Sequence, residues 1–210
     1  MTHKDTQPVM IPVAVSARHV HLTQATIDRL FGADHTLRVH SPLSQPSQYA
    51  AQETVELVGP KGRLHGVRVI GPARSENQVE LARTDEIALG LDAPLRVSGD
   101  LAGSPGLRMV GPRGEIELTE GAILARRHIH MTPADAACLG LRDGEVVEVG
   151  IEHSGRALIF GDVVVRVAPD YRMELHLDTD EANAAGLHGG EDSLLRTTRA
   201  LARLHGRPAG

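Results

Sequence analysis

Short runs dense in valine and bounded by glycine or proline recur along the chain: Ile11–Ser16, Thr54–Val58, Gly66–Ile70, Leu107–Val110, Val146–Ile151 and Val163–Ala168. Branched side chains suit a pleated, half-buried surface and Gly or Pro punctuates it, so each run predicts a short strand. Their close, even spacing predicts small barrels. Short helices fit between the strands. Thr23 is placed to N-cap Gln24–Phe31, and Thr132 followed by Pro133 puts Pro in the first turn of Pro133–Leu139, stopped by Gly140. Two further helices are expected to start near Thr84 and near Thr179, and Arg196–Gly210 reads as a frayed helix and tail.

The pattern repeats. Ala17–Thr23 (ARHVHLT) matches Arg126–Thr132 (RRHIHMT) at an offset of 109 residues, and each match runs into a helix ended by Gly. Thr84–Leu91 (TDEIALGL) matches Thr179–Leu187 (TDEANAAGL) at an offset of 95, so the second copy is shorter and the extra segment of the first is placed at Ser41–Gln52. Two copies of one strand-rich unit predict a mainly β protein of two tandem, duplication-related small barrels facing each other, capped by short helices. Between the copies Ser98–Gly106 (SGDLAGSPG) is a glycine- and serine-rich loop, readable as a plain turn or as a phosphate-cradling nest.

Composition narrows the function. The 210 residues carry 22 basic and 27 acidic side chains, which gives no basic footprint for a nucleic-acid backbone. Aromatics make up 2%, against stacking on single strands and against a membrane belt, and no apolar run approaches the roughly 20 residues of a spanning helix. One cysteine, Cys138, rules out an intrachain disulfide framework and reads as a small core residue of its helix, in a chain expected in the cytoplasm. Twelve histidines are the outlier.

His19 and His21 stand two apart in extended chain, as do His128 and His130. Side chains at i and i+2 leave the same strand face about 6.5–7 Å apart at Cα, close enough for two imidazoles to share an ion. One such pair is weak evidence; two at equivalent places in a repeat are stronger. Just ahead of each Thr-Asp-Glu block lies a third donor, Glu80 in one copy and His176 in the other, giving the sets His19/His21/Glu80 and His128/His130/His176. Three protein ligands with an open position suit a catalytic Zn²⁺, and Co²⁺ or Ni²⁺ would also fit these N/O donors. The plain alternative for Glu80 is a solvated strand carboxylate. The other seven histidines read as surface or turn residues. Arg74, in the loop Gly71–Gln78 that leads to Glu80, offers a guanidinium suited to a phosphate oxyanion, although on position alone it reads equally as a surface arginine, while Arg18 and Arg127 read as structural.

Taken in order, VSARHVHL (15–22), QPSQYA (45–50), GPAR with QVE (71–74 and 78–80), SGD (98–100), RHIHM (127–131) and HLDTDEANA (176–184) resemble the PduL-type phosphate propanoyltransferases over roughly positions 13 to 187. The resemblance implies a phosphotransacylase that interconverts acyl-CoA and phosphate with acyl phosphate and CoA, the acyl group being propanoyl or acetyl. It implies two Zn²⁺ per chain on the two sets above, Arg74 on phosphate as the catalytic arginine, and Ser98 as a supporting phosphate contact. It also implies that the first strand swaps over, so that residues 8–17 and 126–195 form one barrel, 18–125 the other, and 196–210 a tail. Two positions depart from the family pattern: Ser47 stands where Gly usually follows Gln-Pro, and Asn77 where Thr often precedes Gln-Val-Glu.

With no Ser or Cys in a nucleophile motif, the expected chemistry is direct attack by phosphate on the thioester at a dinuclear zinc site. A dinuclear zinc thioester hydrolase and a non-catalytic metal-binding barrel are the alternatives. The expected partners are acyl-CoA, phosphate, CoA and a second copy of the chain in a homodimer, with no nucleic acid and no membrane. Some family members carry an amphipathic peptide that targets a bacterial microcompartment. The residues before Ile11 are too short and polar to be one, so the cytoplasm is the expected location, with the microcompartment lumen and shell association as the alternative.

Overall fold

In the computed structural model the described residues are 9–151, 155–188 and, as backbone, 194–197. In chain order the elements are β1 (Met10–Ser16), β2 (His19–His21), α1 (Gln24–Phe31), β3 (Val39–Pro42), β4 (Tyr49–Val58), β5 (Arg63–Gly71), β6 (Gln78–Leu81), α2 (Arg83–Leu89), β7 (Leu95–Arg96), β8 (Arg108–Val110), β9 (Glu115–Glu117) and β10 (Ala122–Ala125). They continue with β11 (His128–Met131), α3 (Pro133–Leu139), β12 (Val146–Ile151), β13 (Leu158–Val167), β14 (Glu174–Asp178), α4 (Thr179–Ala185) and β15 (Leu194–Thr197). The protein is mainly β with short helices, as its valine-rich runs predict, and those runs lie in or at the edges of β1, β4, β5, β8, β12 and β13.

The chain divides into two compact units. One holds residues 1–15, 127–177 and 181–210, and its strands close into a barrel in the order β1-β14-β11-β13-β12-β15. Ile11, Ile129, Met131, Val149, Val163, Val165, Leu175 and Leu177 pack its interior. The other holds residues 16–126 and 178–180, in a sheet ordered β7-β10-β6-β2-β5-β4-β8-β9 with β3 on β4. Val20, Leu22, Leu57, Val67, Val69, Val79, Leu81 and Met109 form its core. Removing these branched and sulfur-bearing side chains from water drives both units, at about 1.5–3 kcal/mol for each fully buried side chain.

The repeat is visible in the pairing. β2 lies between parallel β5 and antiparallel β6, and β11 lies between parallel β13 and antiparallel β14. A further strand flanks each third-ligand strand: β10 runs beside β6, and β1 beside β14.

Local chemistry explains where the helices begin. The Thr23 hydroxyl accepts the Thr26 N–H, and Thr132 forms a reciprocal box with Asp135, hydroxyl to Asp135 N–H and carboxylate to Thr132 N–H. α2 has Ala82 at its cap position and takes its capping from elsewhere. Asp85 accepts the Ala82 N–H, and the Asp180 carboxylate, 96 residues away, accepts the backbone N–H and the hydroxyl of Thr84 at 2.8 Å each. Arg18 and Arg127 are structural as expected, pairing with Asp85 and Glu181. His35 is tied inward: with Arg38 it donates to the buried Glu53 carboxylate. Burial alone would raise the Glu53 pKa, but these bonds and the Arg38 N–H prevail and lower it.

Two expectations are corrected. Arg196 and Thr197 lie in β15, not in a helix, because the backbones of β1 and β12 both hydrogen-bond to this segment; residues 198–210 lie outside the described residues. Cys138 is exposed and fills no core position, since in this two-turn helix it is Ala136 that faces inward and Cys138 stands about 200° round from it. Among the described residues no helix is long and apolar enough to cross a membrane.

The loop Ser98–Gly106 folds as successive turns, with Asp100 N–H on the Val97 carbonyl and Ser104 N–H on Leu101. Its far end is fixed by contact: a Cβ on Gly106 would sit 1.8 Å from the Leu118 carbonyl oxygen. Gly106→Ala is therefore expected to destabilise the fold by about 1–3 kcal/mol, read as a lowered midpoint in urea.

Candidate metal centres

Period-two alternation sets the first centre. In β2 the middle residue Val20 is fully buried in the core, which turns His19 and His21 together to the opposite face. Antiparallel pairing places Glu80 of β6 directly across from His19. His19 Nε2 lies 3.2 Å from His21 Nε2 and 3.6 Å from Glu80 Oε2, and His21 Nε2 lies 3.9 Å from Glu80 Oε1. The Ala17 carbonyl accepts from His19 Nδ1 at 2.9 Å, which fixes the proton there and leaves the Nε2 lone pair aimed at the other donors. Glu80 is buried, so the solvated-carboxylate reading does not hold.

β11 and β14 repeat the arrangement. Ile129 is buried in the core while His128 and His130 share the other face, and His176 of β14 stands across from His128. The three ring centroids lie 4.6 to 4.9 Å apart. Tyr171 stacks on His130 at 4.0 Å and 16°, holding that ring in plane.

In each set the donor atoms lie within 4.8 Å of one another. Two further observations fit a metal ion. Both ring nitrogens of His130 are buried with no hydrogen-bond partner among the described residues, a state that costs free energy unless a ligand is supplied. Two or three imidazole nitrogens, with or without a carboxylate, are also the donors that Zn²⁺ and its neighbours take.

Other residues join the first centre. Ser98, expected beside phosphate, donates its hydroxyl to Glu80 Oε1 at 3.0 Å and accepts from Gln78 Nε2 at 2.8 Å. Gln78 Nε2 also donates to Glu80 Oε1, and Gly99 N–H donates to Gln78 Oε1. Asn77 accepts the Thr23 N–H at 2.9 Å, so the residue that departs from the family pattern ties the start of α1 to the strand carrying Glu80. Ser47, the other departure, has φ +63°, where glycine is the least strained residue. The Arg74 N–H donates to the Leu22 carbonyl just after β2, and its exposed guanidinium is near enough to act on the charge state of His21. Gln78, Glu174 and Tyr171 were not singled out from sequence. The alignment of Gln78-Val79-Glu80 with Glu174-Leu175-His176 held the signal for the first two, whereas Tyr171 has no counterpart in the repeat.

Burial chiefly, then the nearby charges of His19 and Arg74, push the His21 pKa from 6.5 down to about 3 against an opposing pull from Glu80. Burial chiefly, then His176, His128 and Arg166, push His130 to about 2. Both rings are thus held neutral, the form that ligates metal. The unfolded chain protonates these histidines near 6.5 and the folded chain does not, so their contribution is present above that pH and is lost as pH falls from about 6.5 towards 3. Metal-free protein is expected to lose about 1.4 kcal/mol per pH unit for each of the two within that window, measured by urea unfolding at stepped pH. Loss beginning only below pH 3 would contradict it.

Comparison with known proteins places these sites in context. The family model described as phosphate propanoyltransferase matches residues 12–188. A phosphate propanoyltransferase of Shewanella putrefaciens is 55% identical over 181 residues, covering 86% of this chain and 85% of the relative. One from Klebsiella pneumoniae is 56% identical over 176 residues, covering 84% and 83%, and one from Thermotoga maritima is 51% identical over 181 residues, covering 86% of each. With a match that runs from residue 12 to 188 and includes both ligand sets, the chain belongs to the phosphate propanoyltransferase family of acyltransferases.

Proposed function

We propose that this chain is a phosphotransacylase that converts acyl-CoA and inorganic phosphate to acyl phosphate and free CoA, reversibly, with propanoyl- or acetyl-CoA as the thioester. The observation that carries the reading is the pair of repeat-related three-donor sets, one of which feels the positive charge of Arg74 at His21. His19, His21 and Glu80 would hold one divalent metal, and His128, His130 and His176 the other. Zn²⁺ bound there would supply Lewis acidity and a soft partner for thiolate sulfur.

Arg74 binds and orients the phosphate dianion, drawing it out of its hydration shell; converting the encounter to a held geometry is worth up to about 7–11 kcal/mol in favourable cases. A phosphate oxygen attacks the thioester carbonyl carbon, the C–O bond forms as the C–S bond breaks, and the sulfur leaves as the CoA thiolate. No acyl-enzyme is needed. Ser98 spends its hydrogen on Glu80, which supports direct attack. In this reading Ser98 serves phosphate through Glu80, by keeping the carboxylate in place. One methylene separates the propanoyl and acetyl groups, worth about 1–3 kcal/mol in a fitted pocket, so both remain within the proposal.

Arg74→Ala is expected to keep its metal while its rate falls by at least about 100-fold and its KM for phosphate rises, in an assay of thiol release from propanoyl-CoA with varied phosphate. Wild-type turnover in that variant would remove Arg74 from the reaction. His128→Ala is expected to lose about one metal per chain by elemental analysis. Thioester loss that proceeds without phosphate would favour a hydrolase instead.

A further inference from the structure

The two ligand-bearing faces share a four-residue plan, and one position in it belongs to neither ligand set. Across from the first histidine stands the third ligand: Glu80 opposite His19, His176 opposite His128. Across from the second stands an additional polar residue: Gln78 opposite His21, Glu174 opposite His130. The chemistry at this fourth corner is complementary to the third ligand in each copy. Where that ligand is a carboxylate the corner is an amide, and where it is an imidazole the corner is a carboxylate.

The contacts follow that complementarity. Gln78 Nε2 donates to Glu80 Oε1 at 2.5 Å and to Ser98 Oγ at 2.8 Å, and the Gly99 N–H on Gln78 Oε1 at 2.9 Å dictates which end of the amide faces the ligand. Glu174 Oε2 lies 3.1 Å from His176 Nε2, within ion-pair distance though not aligned as a hydrogen bond. Both corner residues are buried, Gln78 at 3% and Glu174 at 7% exposure, so solvation does not account for either. Imidazoles that serve as ligands are neutral, so a three-histidine face brings no charge of its own; Glu174 supplies the anion that Glu80 supplies on the other face. A carboxylate at 78 would instead press against Glu80 at hydrogen-bond distance, and an amide at 174 would leave its face without an anion.

We propose that Gln78 and Glu174 are positioning residues of the two metal centres, each holding the third ligand of its face in one orientation, and that together they keep one carboxylate on each face. This rests on reading the two sets as metal sites, and the test separates the two claims. Zn²⁺ affinity of the full-length chain is measured by competition with a chromophoric chelator, one face at a time: in a His21→Ala background for the face of His128, and in a His130→Ala background for the face of His19. Glu174→Gln and Gln78→Met are each expected to weaken their own face by about 10–100-fold and to shift the visible spectrum of Co²⁺ bound there. Glu174→Gln keeps shape and removes a buried charge, so its metal-free melting temperature is expected to equal or exceed that of its parent, which a merely structural role would lower. Unchanged affinity and spectrum in Glu174→Gln, or weakening matched by a lower metal-free melting temperature, overturns the proposal. Parents that bind neither Zn²⁺ nor Co²⁺ overturn the metal reading beneath it.

Discussion

Everything at the two candidate centres depends on strand register. A strand turns alternate side chains to opposite faces, so one residue of slip in β2 against β6 would send His19 and His21 into the core and Val20 out to the ligand face. The register is held by the apolar partners of the ligands. Val20 packs with Val79, its cross-strand neighbour, and Ile129 with Leu175, its counterpart in β11 and β14. The same pairing that buries these aliphatic side chains therefore aims the imidazoles and carboxylates, and core packing and ligand geometry cannot be changed separately.

Much of this was legible in the sequence, for identifiable reasons. His-x-His announces itself because the spacing of two matches the strand period, and the repeat then locates Glu80 and His176 without any knowledge of the pairing. The cap residues Thr23 and Thr132 are legible because their hydrogen bonds close within three residues. What escaped is what depends on distant chain. β15 gains its conformation from strands that include the N-terminal β1, and nothing in its own few residues states this. Asp180 caps a helix whose own cap position is Ala82, a bond that spans 96 residues. Gln78 lay in plain view beside Glu80, but a neutral amide carries no ligand signature, and its role shows only when its partners are fixed in space.

The polar groups buried at these centres also explain their place in the fold. A buried carboxylate beside imidazoles is a liability for a bare polypeptide, and both units place such a cluster on the face that the aliphatic core leaves vacant. The branched, sparsely aromatic interior suits this arrangement, since small side chains let short strands pack without bulky rings competing for the ligand face. The few rings present are used locally, as with Tyr171 against His130 and Phe160 beneath the Arg127 guanidinium.

The strand that leads into each His-x-His belongs to the sheet of the other unit: β1 precedes β2 yet neighbours β14, and β10 precedes β11 yet pairs with β6. A half-length polypeptide carrying a single copy would hold an arm with no sheet to enter and a third-ligand strand lacking its outer neighbour. Two such polypeptides would complete one another only by trading arms. The tandem chain makes that trade within one molecule, where it no longer depends on protein concentration.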